Sequence, residues 1–428
     1  MPFQSNRLSA YTIYLLLSAV GAFATNTIFT INMVYQIEVI RLNPLQLVLV
    51  GTMLEVVTFL CQVPTGVLAD VYSRRLSVIV GYTLMGAGFL LEGLWPTFAS
   101  VLLAQVLWGA GYTFVSGAEE AWVADEVGGN VGRVFIRGTQ IGQIASLASI
   151  PLSIWLAVFR LNLPVIVGGG LLLLLGVFLF LFMPEQRFRP MQSAERNSWQ
   201  ALGRVMVSGF RAVRHSRMLL LILAITAFNA MASEGFDRLQ TDHFIQDFRF
   251  PTLGHLSTVV WFGIISAGSM ILTLVATELV RRYVDTHSHR ALVATMFAFN
   301  VLLIASVAAF ALAGNFYLAL GAFWCASVFR RADSSLYNTW LASNSDPGMR
   351  ATVISMFGQV DAIGQIAGGP AVGLIGTLIS LRAALLTTCA ILAPNVAFFA
   401  GALRLSKHMP LSPADGESEE EAQPVTAP

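Results

Sequence analysis

The chain reads as an all-α integral membrane protein of twelve transmembrane helices in two six-helix pseudo-repeats. Three observations predict this: few charges in an apolar composition, a succession of span-length apolar stretches, and arginines confined largely to one set of loops. Of 428 residues, 56% are hydrophobic and 11% charged, against roughly a quarter charged in soluble proteins. Such a chain cannot clothe a water-exposed surface. Its 25 Lys and Arg and 24 Asp and Glu leave a formal charge of +1, so no global field recruits nucleic acid, and none is expected as a partner.

A helix crossing ~30 Å of hydrocarbon takes ~20 mostly apolar residues. Stretches of that kind fall near 11–37, 44–69, 77–95, 97–125, 132–158, 162–183, 217–246, 253–280, 290–313, 315–342, 350–379 and 381–404. The first exceeds the apolar core of a secretion signal and is expected to remain as a span. Alternate loops then carry Arg7, Arg74, Arg75, Arg133, Arg187, Arg189, Arg196, Arg204, Arg211, Arg214, Arg217, Arg281, Arg282, Arg290, Arg350, Arg404 and Lys407, while the others carry only Arg41, Arg160, Arg249 and Arg382. Seventeen against four places both termini in the cytoplasm of a multi-pass cell-membrane protein.

The one long, charge-rich connection divides the chain into a six-helix bundle over 1–183, a linker over 184–216, a second bundle over 217–406 and an acidic, disordered tail over 407–428. In the linker, Trp199, Leu202, Met206, Phe210 and Val213 recur at helical spacing away from Arg204, Arg211 and Arg214. That pattern suits an amphipathic helix on the inner leaflet, or a plain linker helix. Cys61, Cys325 and Cys389 lie in apolar runs without paired spacing and read as small buried hydrophobes.

The halves echo each other. Ala121-Trp122-Val123-Ala124 returns as Thr339-Trp340-Leu341-Ala342, Arg133 as Arg350, and Gly142-Gln143-Ile144-Ala145 as Gly364-Gln365-Ile366-Ala367, with offsets of 218, 217 and 222. Between the second and third spans stands Gly66-Val67-Leu68-Ala69-Asp70-Val71-Tyr72-Ser73-Arg74-Arg75. This run resembles the G-x-L-A-D-R-x-G-R-K/R signature of the major facilitator superfamily (MFS), with Val71 and Ser73 as departures. The resemblance implies the MFS fold and an inner-gate role for Gly66, Asp70, Arg74 and Arg75, with Gly66 allowing close helix approach and Asp70 locking helix ends. Glu278 and Arg282 would be the degenerate second copy. Within the family the chain is most similar to bacterial drug-efflux members. It departs from them at Gln105, where exporters carry an arginine, and in lacking their G-P-x-x-G-G run in the fifth span.

An ionised side chain near the bilayer centre costs about 2.5 to 3.5 kcal/mol on insertion scales, so each needs a partner, water or a proton. Glu55, Glu119, Glu120, Glu234, Asp237, Asp333 and Asp361 lie within spans, opposed by Arg137, Arg238, Arg330 and Arg331. The acid excess points to protons or cationic substrates. Gly51, Glu55, Thr58, Gln62 and Thr65 form one helical stripe expected to face water. Glu55 reads either as a coupling or substrate group or as a neutral acid bonded to a neighbouring helix. Arg330 is expected to pair with Asp333 along its own helix and Arg331 with Asp361 across an interface. Asp361, left unpaired, would be a proton site. Glu234 and Arg238 form an i, i+4 pair beside Asp237, read as a gate. Glu119 and Glu120 are expected to meet Arg137. Trp108, Tyr112 and Glu119 share one face read as cavity lining, and Ser18, Ala22, Thr25, Phe29, Asn32 and Gln36 form a similar stripe on the first span, with packing as the alternative to binding.

These readings describe a monomeric secondary transporter that alternates access to a central cavity, with small molecules and protons as partners and no cofactor or metal. A proton driven by ~100 mV supplies about 2.3 kcal/mol, and no phosphate-binding loop motif is present. Efflux of lipophilic, often cationic compounds is the first expectation, and uptake or export of a metabolite or organic anion the second. A membrane-embedded enzyme is the rival, disfavoured because no H-E-x-x-H occurs and Lys407 is the sole lysine. A ligand sensor on the same scaffold is a further alternative.

Overall fold

The computed structural model describes residues 8–128, 131–190, 203, 207–211, 213–252, 258–285, 288–346 and 348–406. Trp199, Leu202 and Met206 of the amphipathic pattern and the acidic stretch lie outside them. The first part comprises α1 (Ala10–Phe29), α2 (Asn32–Glu38), α3 (Pro44–Val71), α4 (Arg74–Leu94), α5 (Phe98–Val115), α6 (Ala118–Val127), α7 (Val131–Phe159) and α8 (Leu163–Phe182). The second comprises α9 (Arg217–Asp247), α10 (Val259–Tyr283), α11 (His289–Leu312), α12 (Phe316–Ser343), α13 (Arg350–Leu378), α14 (Leu381–Leu392) and α15 (Pro394–Leu405). Short polar side chains start these helices by accepting orphan backbone amides: Ser9, Asn43, Ser73, Thr97, Ser216, Ser288, Asn315 and Ser380 all do so.

Among the described residues, ten segments are long and apolar enough to cross a membrane. They include three pairs, α1–α2, α5–α6 and α14–α15, each expected as one span and each broken inside it. The two remaining long helices, α12 and α13, hold 28 and 29 residues and carry Arg330, Arg331, Asp333 and Asp361 in their interiors. Broken backbone at membrane depth survives only where freed polar groups find partners. At the first break the Ile31 amide donates to the Ile28 carbonyl, not to Thr27, and Ser153 Oγ of α7 donates to the released Thr27 carbonyl at 2.7 Å. At the second, Gly117 takes φ +79°, a left-handed turn closed to most side chains. At the third, Pro394 opens α15 as its first residue.

Small residues bring helices together: a Cβ on Gly86 would lie 2.8 Å from the Gly169 carbonyl oxygen, which lets α4 and α8 pack backbone to backbone. Trp122 and Trp340, from the two similar runs, are both fully buried. Of the cysteines only Cys389 is buried; Cys325 is exposed, on a helix whose outward face meets the surroundings.

The helices α1–α8 and α9–α15 join unevenly. At the end carrying few arginines, one apolar core contains Ile31, Val34, Val48 and Ala157 from the first set together with Phe236, Leu239, Phe310 and Val372 from the second. Toward the arginine-rich end the cores separate, one built on Tyr14, Val78, Trp122 and Val134, the other on Met218, Val293, Trp340 and Phe357. Direct seams follow the same rule. The Leu45 amide donates to Thr377 Oγ1 at 2.9 Å, and Gly263 packs under Ile154.

Candidate functional site

Charged side chains meet at mid-depth between the two sets. On α9, Arg238 Nε donates to Glu234 Oε1 at 2.8 Å, and Glu234 is 4% exposed. Asp237, on another face of that helix, accepts both terminal nitrogens of Arg330 from α12, Nη2 to Oδ2 at 2.5 Å. Glu55 of α3 is half-buried and within electrostatic range of Glu234, Asp361 and Arg238. The structure thus gathers Glu55, Glu234, Asp237, Arg238, Arg330, Asp333 and Asp361 around one centre, but not with the expected partners. Arg330 pairs with Asp237 rather than Asp333, because a guanidinium fork fits a carboxylate edge-on from a facing helix better than along its own. Arg331 is exposed and does not reach Asp361, which accepts instead from Gln365 Nε2 at 2.8 Å. Asp333 Oδ1 has no hydrogen-bond partner.

Gly51 is where the two sets touch most closely. A Cβ there would stand 1.3 Å from Glu234 Oε1 and 2.4 Å from Arg238 Nε, so the ion pair lies in the space a side chain would fill. The stripe from Gly51 to Thr65 therefore does not face water throughout. Gly51 is covered by α9, and buried Thr65 has its hydroxyl 2.9 Å from the Thr113 carbonyl oxygen, while Gln62 is exposed.

Beside the cluster a cavity of about 270 Å³ opens among α9, α11, α12, α13 and α14. Its polar wall holds Arg330, Asp333, Asp361 and Gln365, with Thr226 and Tyr337 hydroxyls 2.6 Å apart and Asn229 accepting from Asn395 at 2.7 Å. Phe236, Leu303, Val307 and Leu392 form its apolar wall. Asn229 and Tyr337 were not singled out from sequence, and Gln365 only as part of a repeated run, because uncharged polar residues in apolar helices carry no mark of what they face.

The expected lining from α1–α8 does not border this cavity. Trp108 is packed between Phe29 and Phe89, with ring centroids 4.9 and 5.6 Å away. Tyr112 is exposed, and Glu119, past the Gly117 break that rotates α6 off the axis of α5, accepts from Tyr82 Oη at 3.2 Å. Glu120 caps its own helix through the Gly117 amide at 2.9 Å, and Arg137 is exposed and pairs with neither glutamate. Asn32 and Gln36 are buried, Gln36 Nε2 donating at 2.7 Å to Glu92 Oε1. Glu92 itself, fully buried, escaped the sequence reading because it stands near the end of its span, where an acid is ordinarily wetted.

At the arginine-rich end Arg74 bridges Asp70 of α3, at 3.3 Å, and Asp125 of α6. Ser73 Oγ and the Arg75 amide both donate to Glu185, at 2.6 and 2.9 Å, and Arg75 reaches the Phe180 carbonyl. Gly66 is not a close-approach point, since a Cβ there would meet nothing within 4 Å. Glu278 pairs with both Arg281 and Arg282, at 2.7 and 2.6 Å, in the open.

Helices broken at depth, mid-membrane ion pairs and two helix sets joined at one end define a membrane transporter scaffold. Residues 15–305 match the profile of the Major Facilitator Superfamily, and the chain belongs to that family. By class it is a membrane-embedded protein of a transporter family. An uncharacterized MFS-type transporter, YxaM of Bacillus subtilis (strain 168), is 23% identical over 202 residues, 45% of this chain and 49% of the relative, so the match spans about half that relative's length. Among solved structures, the nucleoside transporter NupG superposes with a TM-score of 0.73 at 15% identity, covering 94% of this chain and 100% of that one. A bacterial homolog of the human lysosomal transporter Spinster, inward-facing and unoccupied, gives 0.71 at 14% over 95% and 98%. The peptide transporter POT in complex with sulfate gives 0.71 at 14% over 95% and 96%. At such identities the likeness concerns the fold.

Proposed function

We propose that the chain is a proton-coupled exporter of small lipophilic cations, working as a monomer by alternating access between two six-helix halves in the cell membrane. The observation that carries this reading is the composition of the cavity wall. Arg330 is neutralised by Asp237, which leaves Asp333 and Asp361 as acids without a basic partner opposite Phe236, Leu303 and Leu392. A cation with an apolar body satisfies both walls, whereas an organic anion would meet two carboxyl groups and a guanidinium already occupied.

The arginine-rich loops put that end in the cytoplasm, so a structure fused at the arginine-poor end is inward-facing. Glu55, with Glu234, Asp237 and Asp361 around it, is the coupling group. Proton binding there competes with the positive charge of the substrate, which links the two fluxes in opposite directions. Asp70, Arg74 and Arg75 hold the cytoplasmic ends of α3 and α4 in the gate.

Purified protein in liposomes with a clamped proton gradient tests this. Lipophilic cations should move against the proton flow, and Glu55→Gln should leave the protein folded while removing the dependence of flux on the gradient. Cation flux that follows the proton, or flux in the Gln variant that tracks the gradient as in the wild type, would contradict the reading.

A further inference from the structure

Away from the cavity, α2 and α4 enclose a second ionisable site that the transport reading does not use. Glu92 is 0% exposed, Gln36 0% and Asn32 3%. Gln36 Nε2 donates to one carboxyl oxygen of Glu92 at 2.7 Å, and Tyr35 Oη donates to the Glu92 backbone carbonyl at 2.9 Å. The other carboxyl oxygen, Glu92 Oε2, has no donor, and neither do Gln36 Oε1 and Asn32 Oδ1. Three sealed acceptors thus stand with no donor between them. An ionised carboxylate here would be supported by the neutral amides of Gln36 and Asn32 alone, and such a charge is not held in a dry interior without a counter-ion.

We propose that Glu92 is a proton-binding site, its carboxylic acid donating from Oε2 to an amide oxygen of Asn32 or Gln36 while the arginine-poor end is closed. One proton converts an orphaned acceptor into a donor and satisfies an amide oxygen with it. The groups facing the site are Asn32, Tyr35 and Gln36 from α2, and Arg238 from α9, which is within electrostatic range but hydrogen-bonded to Glu234. From α5 and α8, which pack on α4, no titratable group acts on it.

Position gives the proton a consequence. Asn32 and Gln36 follow the break in the first span, and α2 also packs against α9, so Glu92 sits behind the seam that joins the two helix sets. Parting that seam would wet the acid and free its proton. Because the closed form binds the proton more tightly, low pH favours closure and rising pH favours opening. This inference stands apart from the identity of the substrate and from Glu55.

Infrared difference spectroscopy on the full chain in lipid provides the test. At neutral pH, wild type minus Glu92→Gln should show a protonated-carboxyl stretch that shifts in deuterium oxide, and Asn32→Ala or Gln36→Ala, which keep the acid, should move its frequency. Spin labels at Arg41→Cys and Ile379→Cys should report opening that grows with pH in the wild type and loses most of that growth in Glu92→Gln. Carboxylate bands in the neutral difference spectrum would overturn the proposal. So would sodium-dependent thermal stabilisation that Glu92→Gln abolishes, since that assigns the site to a metal cation. Should the Gln variant fail to fold, Asn32→Ala and Gln36→Ala decide alone, and an acid band indifferent to both rules the proposal out.

Discussion

Removing the Arg238 guanidinium would strand Glu234 as a sealed charge, because the carboxylate has no other basic neighbour in bonding range and only 4% exposure. Loss of one partner from a buried pair costs about 3–5 kcal/mol, whereas replacing both with uncharged groups of similar shape costs far less. Arg238→Gln should therefore lower the thermal midpoint sharply, and Glu234→Gln with Arg238→Gln should recover much of it, which a double-mutant cycle in detergent measures. At the cavity, Asp333→Asn removes an acid that opposes no arginine. It should weaken binding of a lipophilic cation about tenfold or more, of the order of one charge-assisted contact, with little change for a neutral analogue. Unequal legibility at this scale has a physical origin. Ionisable residues stand out in an apolar sequence by their solvation cost alone, so most of the cluster could be named beforehand. Their partners depend on which helix faces which, and Arg330 chose Asp237 at a sequence separation of 93.

Helix interruptions are the features of the elements that hydropathy hides. A twenty-residue window averages across a break, so Ala10–Glu38 and Phe98–Val127 each read as one span although each contains two helices. The signals present were modest: a glycine at 117 and a proline at 394. Their consequences are testable. Gly117→Ala forces a β-carbon into a left-handed turn, costing about 1–2 kcal/mol, and should either lower stability by that amount or straighten α5 into α6 and withdraw Glu119 from Tyr82. Ser153→Ala leaves the Thr27 carbonyl without its donor inside the bundle. A loss of about 1–3 kcal/mol is expected, visible in thermal unfolding, with Ser153→Thr retaining the bond.

For the whole molecule, the all-helical membrane fold was open to reading because burial in lipid leaves long apolar stretches in a sequence. Which end is shut leaves no such mark, since both arrangements use the same helices. Gly51 offers the handle: Gly51→Val places atoms where Glu234 and Arg238 now sit, so it should open the arginine-poor seam and raise labelling of single cysteines such as Leu45→Cys severalfold over the parent. The ion pair at mid-depth and the one at the arginine-rich end also differ in their contact with water. Glu234 and Arg238 side chains are 5% and 15% exposed, whereas Asp70 is 43% exposed against Arg74. Dissolved ions screen a wetted attraction and hardly touch a dry one. Ionic strength is therefore a one-sided lever on this protein: concentrated salt should slacken the contacts at the arginine-rich face while leaving the buried pair on α9 at full strength.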